Sequence, residues 1–370
     1  MKITKVVAKA FAIPLKVHAK IATRAISKRE YVLIEIEDSK GNIGYGYIYA
    51  GTQGANIVKV AIEELFIPYL LGKDPRFISQ HWDEMYQESL LLGRQGAIMR
   101  ALSCVDIALW DLYGKICNEP LYRLLGGKSS TVPAYASGGY YREGKGLEGL
   151  KKEIEFYKDK GFTHFKIKVG GVSIEEDTER VRVARETIGS EGKLGVDANN
   201  AYKSPYEALR AVKSFEPYDL WFMEEPLTPD NIAGHTLLAS KTSVPIATGE
   251  IEASRSGFLE LLQGGTVSIL QADAGVMGGI TEWMRVAHTA ASFNISIAPH
   301  WHANIHAHLV GAVSNGLIVE YFFLEEDIYN FEAILENPME VNNGYITLSE
   351  KPGLGIEINH EKLETYLIEK

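Results

Sequence analysis

The stretch HFKIKVGG, residues 164–171, decides how the chain is read. It reads as a short buried strand, yet it carries Lys166 and Lys168. Strand side chains alternate between faces, so both lysines share one face and Ile167 takes the other. The stretch is one of a series. TVPAYAS, HFKIKV, KLGVDA, LWFMEE, VPIATGE, VSILQAD, ISIAPH and LIVEYF alternate with amphipathic helical segments, roughly every 20 to 30 residues, the spacing of β/α units. Eight such units over about 190 residues predict a closed (β/α)8 barrel of the TIM type, an α/β fold. Its predicted span is residues 128–324.

The segment before it has a different texture. Residues 1–50 read as strands, with a hairpin signal in YVLIEIEDSKGNIGYGYIY around Asp38 to Asn42. Residues 56–125 read as helical, ending at NEP. Residues 1–127 are therefore expected to form an α+β domain, which the tail 325–370 rejoins.

Bulk properties narrow the function. The chain has 370 residues, 46% hydrophobic and 23% charged, as expected of a globular protein of more than one unit. Its net charge of −10, without a basic run, argues against nucleic acid and against an anionic membrane surface as partners. No apolar run is long enough to span a bilayer. The N-terminal stretch alternates like a strand and lacks the features of a signal peptide. Cys104 and Cys117 make no disulfide framework, which points to a reducing, cytoplasmic compartment.

Two motifs do not hold. GGKSS at 126–130 resembles a phosphate loop, but Tyr122 stands where the pattern needs its first glycine. HWHANIHAH, residues 300–308, sets His302 and His306 four apart, but without the glutamate of a zinc motif; packing is the plainer reading of most of these histidines.

The C-terminal mouth of such a barrel is where active sites are built. Seven successive strands end there on ionisable groups: Lys166 and Lys168, Asp197, Glu224 with Glu225, Glu250, Asp273, His300 and Glu320. A lone acid at a strand end is usually a cap or a solvated loop residue; seven in series are not. Asp197, Glu224 and Glu250 come from consecutive strands. Two carboxylates about 4 Å apart repel by roughly 4 kcal/mol at an effective dielectric near 20. Three stay ionised together only around a cation, and an all-oxygen set selects Mg²⁺, or Mn²⁺ in its place. Glu225, next to Glu224, is expected to point away from the mouth. Lys166 and Lys168 are expected to lower each other's pKa, which frees one as a base. Asp273 is placed to orient His300 as a second base. Two bases flanking a metal-held acid suit removal of the proton next to a carboxylate. Glu320 would share a proton with the substrate carboxylate.

These residues resemble the enolase superfamily, in particular its mandelate racemase subgroup. The likeness is carried by the KIK of Lys166 to Lys168, by VDANN, MEEP and TGE, by the Asp273/His300 dyad and by Glu320 in VEYF. ALSCVDIALWDLYGKICNEPLYRLLGG and PGLGIEI extend it over nearly the whole chain. The dyad separates the chain from the muconate cycloisomerase and dipeptide epimerase branch, which places a lysine on strand six. The superfamily's Lys or His base acting with Mg²⁺ is an established pattern.

The resemblance implies that the first domain caps the barrel, with residues 15–29 and 47–56 as loops touching the far end of the substrate. Lys20, Thr23, Arg24, Tyr49 and Asn199 are the expected substrate contacts; His18 is open. It also implies a homo-oligomer, from dimer to octamer, and a small acid sugar or hydroxy acid as substrate. The polar cap loop favours a dehydratase that turns an aldonate or aldarate into a 2-keto-3-deoxy acid. The alternatives are a racemase or epimerase of a 2-hydroxy acid, and a non-catalytic sugar-acid binding protein.

Overall fold

The computed structural model describes residues 1–368. Strands β1 (Ile3–Ile21), β2 (Arg24–Asp38) and β3 (Ile43–Tyr49) form an antiparallel sheet in that order. The expected hairpin is present, with Glu37 opposite Ile43. Its turn is closed by the Asp38 carboxylate, which accepts from the N–H groups of Lys40 and Asn42. Residues 15–29 are not a loop. They form the outer end of the β1–β2 hairpin, with Lys20 opposite Ala25 and Ile21 opposite Arg24. Ile13, Leu15, Ala19 and Ile26 give this end a buried apolar side, and that burial holds it as strand.

Helix Ala97–Cys117 lies across β3. Gly44 and Gly46 make this approach possible, because a Cβ on either would run into the helix at Cys104, Ala108 or Leu112. The same helix fixes the sheet to the barrel. Asp106, fully buried, accepts from the Thr281 N–H at 2.9 Å and the Thr281 hydroxyl at 2.6 Å. Nearby, Trp82 Nε1 donates to the Gly278 carbonyl at 2.6 Å. The sheet is thereby seated against the segment that follows Asp273.

All eight expected barrel strands form: β4 (Thr131–Gly138), β5 (His164–Lys168), β6 (Lys193–Asp197), β7 (Leu220–Glu224), β8 (Ile246–Thr248), β9 (Ile269–Leu270), β10 (Ser296–Ile297) and β11 (Val319–Tyr321). They run parallel in sequence order, and β11 returns to β4, where Glu320 stands opposite Tyr135. Ile297 closes the seam through backbone bonds to Asn315 and Leu317. A small apolar cluster of Tyr135, Phe222, Ala247, Ile269, Ala298 and Ile318 fills the interior. Each of these residues precedes its strand's terminal polar group, so the polar groups stack on a packed floor. In the tail, β12 (Val341–Asn342) pairs with β13 (Tyr345–Thr347), which adds to β4. Tyr366 and Ile368 bond the backbone of β1. Among the described residues no helix is long and apolar enough to cross a membrane.

Candidate active site

Strand register sets the acids in a row. Lys168 lies beside Asp197, and Asp197 beside Glu224. Glu250 follows β8 by two residues. Asp197, Glu224 and Glu250 offer ligand oxygens that all lie within 4.8 Å of one another. The first two are fully buried, and Glu250 Oε2 is buried without a hydrogen-bond partner among the described residues. Gln271 donates its amide to Glu224.

The two lysines depart from expectation. Lys166 Nζ lies 2.9 and 2.8 Å from the two Glu224 oxygens, 2.6 Å from Glu320 and 3.7 Å from Asp197. Lys168 is ion-paired with Asp197. Burial opposes both charges, but these carboxylates more than reverse it and hold both lysines above the usual range. Mutual repulsion is the smaller effect because acids outnumber lysines here. Burial likewise opposes ionisation of Asp197, yet Lys168 and Lys166 pull its carboxyl down to about 2. Burial and the charge of Asp197 push Glu224 up. Four carboxylates to two ammonium groups leave a surplus of negative charge.

On the other flank, His300 Nδ1 donates to Asp273 Oδ2 at 2.9 Å, which leaves Nε2 towards the cavity, 3.6 Å from Glu250. Burial would lower the His300 pKa; Glu250 and Asp273 raise it overall. Asp273 Oδ1 accepts from the Gly275 N–H at 2.7 Å. The Ala274 N–H donates to His306 Nε2 at 3.0 Å, so the His306 proton sits on Nδ1, facing the Trp301 carbonyl. Burial pushes His302 down to about 3. His302, His306 and His308 are all buried, and among the described residues they make no convergent metal-ligand group.

Glu225 stays outside both the acid triad and the cavity lining, as expected of a side chain that points away from the mouth. The strand ends at Glu224, and Glu225 turns into the left-handed region (φ 40°). It is buried, accepts from the Asn200 amide at 2.8 Å, and is raised by burial and then by Glu250. A turn of the backbone rather than strand alternation keeps it out, because the strand has ended. Trp301 (φ 63°) and His302 (φ 24°) are strained in the same way just after His300.

These groups open on a cavity of about 330 Å³ between barrel and cap. Lys168, Asn199, Glu250, Asp273 and His300 line it from below, and Thr23, Arg24 and Tyr49 from the cap. Lys20 does not. Its backbone pairs with Tyr141 in both directions (2.8 and 3.0 Å), while its neighbour Ile21 takes the inward place and leaves the Lys20 side chain exposed. His18 is also exposed and outside the lining. Lys166 and Glu320 lie deeper than the lining, with Glu320 accepting from the Trp301 N–H at 2.7 Å. Arg29, Arg100, Tyr140 and Trp301 line the cavity and were not among the expected residues. Trp301 directly follows His300 and Arg29 closes the predicted cap segment, so adjacency was the available signal.

The acid set fits a hard divalent cation: all oxygen donors, convergent, buried, in negative surplus, with one carboxylate oxygen unpaired. No cluster of His or Cys competes with it among the described residues.

Comparisons with known proteins agree with this geometry. Residues 3–126 match the mandelate racemase / muconate lactonizing enzyme N-terminal domain, and residues 149–362 the enolase C-terminal domain-like family. The chain is 38% identical to arabinonate dehydratase of Saccharolobus solfataricus, over 91% of this chain and 90% of the relative. Among solved structures, it superposes on a racemase from Streptomyces coelicolor A3(2) with bound magnesium, with a TM-score of 0.93, 30% identity and 99% and 100% coverage. It also superposes on L-talarate dehydratase from Polaromonas sp. JS666 complexed with Mg and L-glucarate, with a TM-score of 0.90, 28% identity and 100% and 98% coverage. Strand order, convergent acids and matches over both parts lead to one conclusion: this chain belongs to the mandelate racemase / muconate lactonizing enzyme family of the enolase superfamily.

Proposed function

We propose that the chain is a sugar acid dehydratase, converting an aldonate or aldarate to a 2-keto-3-deoxy acid. The observation that carries this reading is positional. Lys168 and the His300–Asp273 pair reach one cavity from opposite ends of the row Asp197, Glu224, Glu250. The arabinonate dehydratase relative and the dehydratase holding L-glucarate support acid sugars as the substrate class.

Asp197, Glu224 and Glu250 would hold Mg²⁺, or Mn²⁺ in its place. When bound, the ion supplies Lewis-acid polarisation of the substrate carboxylate and takes up carboxylate charge that otherwise keeps Lys168 protonated. Lys166, beneath Lys168 and bridging Glu224 and Glu320, stabilises negative charge developing on the substrate carboxylate oxygens. Glu320, held by Lys166 and the Trp301 N–H, fixes that ammonium in place. Burial opposes its charge but Lys166 pulls its carboxyl down to about 2, so it is ionised and does not carry the proton expected of it for the substrate carboxylate. Lys168 or His300 accepts the α-proton. The C–H electrons form the enediolate. The β-hydroxyl leaves as water on taking a proton from His300, which Asp273 holds with Nε2 towards the cavity. The resulting enol tautomerises to the keto acid. Asn199, Thr23, Arg24 and Tyr49 would contact the polyhydroxylated tail. A homo-oligomer of two to eight copies in the cytoplasm completes the proposal; both cysteines are free, as a reducing compartment would keep them.

The test is to incubate the Mg²⁺-loaded protein with a panel of aldonates and aldarates and assay for keto acid with a carbonyl reagent. Keto acid from at least one of them is expected. Racemisation is the second reading, favoured by the magnesium-bound racemase neighbour and by the two flanking bases. Deuterium uptake from D₂O with inversion and no keto acid would select it. Binding without any exchange would select a non-catalytic protein.

A further inference from the structure

The cap side of the cavity holds a cation that the chemistry above does not use. Arg29 is buried in β2 and lines the cavity. Its Nε donates to the Ile328 carbonyl at 3.2 Å, and Nη1 donates to the Tyr49 hydroxyl at 2.6 Å. The guanidinium carbon lies 5.1 Å from the centre of the Tyr49 ring and 4.7 Å from that of Trp301. Nη2 is buried and has no partner among the described residues. The contacts that hold the guanidinium are thus a carbonyl, a hydroxyl and two ring faces, and none of these is a carboxylate. A buried guanidinium donor without an acceptor is unfavourable, so its acceptor is expected from what enters the cavity.

Its placement says which part of a ligand it meets. Trp301 stacks on His300 at 5.5 Å, and the Tyr140 ring lies 5.0 Å from Lys168 Nζ. Arg29 contacts the first of these rings and shares the cavity lining with the second. It therefore stands on the cap side of the cavity, whereas the acids stand at the barrel strand ends. A substrate with its carboxylate at the acids directs its other end towards Arg29. The fork is fixed in advance by two hydrogen bonds and two ring faces, and Arg100 braces Tyr49 by donating to its carbonyl at 2.8 Å.

We infer that Arg29 determines specificity: its free Nη2 donates to an oxygen at the substrate end remote from the reacting carbon. That oxygen is the terminal hydroxyl of an aldonate or the terminal carboxylate of an aldarate. The inference rests on the acid-sugar reading above.

The test measures dissociation constants by calorimetry, with Mg²⁺ present, for wild type, Arg29→Met and Arg29→Lys. The ligands are arabinonate, galactarate and the three-carbon acid lactate. Arg29→Met is expected to weaken arabinonate and galactarate by about 10- to 100-fold. Arg29→Lys keeps the charge but loses the fork, so it is expected to lose nearly as much. Lactate, too short to reach, should change by less than about 2-fold. A loss concentrated on galactarate identifies the acceptor as a carboxylate; a loss concentrated on arabinonate identifies it as a hydroxyl. Should either folded variant bind both long acids as tightly as wild type, the inference fails. A wild type that binds these acids without forming keto acid sinks the dehydratase reading but still tests Arg29. A wild type that binds none of them sinks both. Far-UV circular dichroism verifies folding, and Arg29→Gln replaces Arg29→Met should the latter not fold.

Discussion

Asp273 grips His300 by its inner nitrogen. Nδ1 lies 2.9 Å from Oδ2, and the outer nitrogen is left 3.6 Å from Glu250. One carboxylate thus fixes the tautomer of the imidazole and raises its affinity for a proton, while the cavity keeps the reactive nitrogen. Asp273→Asn keeps the shape and removes the charge. The variant should fold, bind substrate with little change in KM, and lose about 10²- to 10⁴-fold in kcat. Its pH–rate profile should show the histidine limb at lower pH. Unchanged kcat in steady-state keto acid assays would exclude this role.

The two lysines should separate by what they damage. Both are buried, but Lys168 reaches the cavity and pairs with Asp197 alone, which keeps Lys166 and Asn199 as further partners, whereas Lys166 is shared by Glu224, Glu320 and Asp197. Lys168→Met should lose at least about 10² in kcat with modest change in stability. Lys166→Met strands buried carboxylates and should lower the unfolding free energy by about 3–5 kcal/mol. Urea unfolding of the two variants beside their rates gives the comparison; equal stability losses would contradict it.

Mg²⁺ should stabilise the folded chain through Asp197, Glu224 and Glu250. At one hundred times its dissociation constant the gain is about 2.7 kcal/mol. Thermal scans should rise with Mg²⁺, fall back with a chelator, and show no rise for Glu250→Gln. A rise that survives in Glu250→Gln would move the ion elsewhere.

Acid should loosen the junction of barrel, cap and tail through His308. Its ring accepts from the Tyr122 N–H at 3.3 Å and faces the Leu354 carbonyl at 3.2 Å. Burial pushes its pKa down to about 4 from an ordinary 6.5. Between those values the unfolded chain binds more protons than the folded one. The stability that neutral His308 contributes is therefore complete above pH 6.5 and is lost as pH falls through about 4. A fall from 6.5 to 4 corresponds to at most about 3 kcal/mol. The slope of unfolding free energy against pH in this window should be shallower in His308→Gln. An unchanged slope would assign the acid lability to other groups.

The sequence made the barrel and its acids legible because both follow from periodicity. A strand end carries a polar residue to a known face, and register then sets Lys168, Asp197 and Glu224 side by side. What it hid depends on contacts between distant segments. Arg29 looks like one more charge in a polar stretch until Ile328 and Trp301 enclose it. The sign of the lysine shifts was misjudged because one strand shows the neighbouring ammonium but not the carboxylates across the barrel. Lys20 was misplaced because a hairpin was read as a loop, and hairpin alternation turns Lys20 out and Ile21 in. Glu225 stays out of the cavity as expected, though through a left-handed turn just past the strand rather than by alternation.

The central claim is a divalent ion seated between two opposed proton acceptors. Crystals grown with Mn²⁺ and measured at a wavelength where manganese scatters anomalously test it most directly. A single strong peak among the oxygens of Asp197, Glu224 and Glu250, between Lys168 and His300, is the predicted result. No peak there, or a peak on the His302 and His306 side of Asp273, would contradict it.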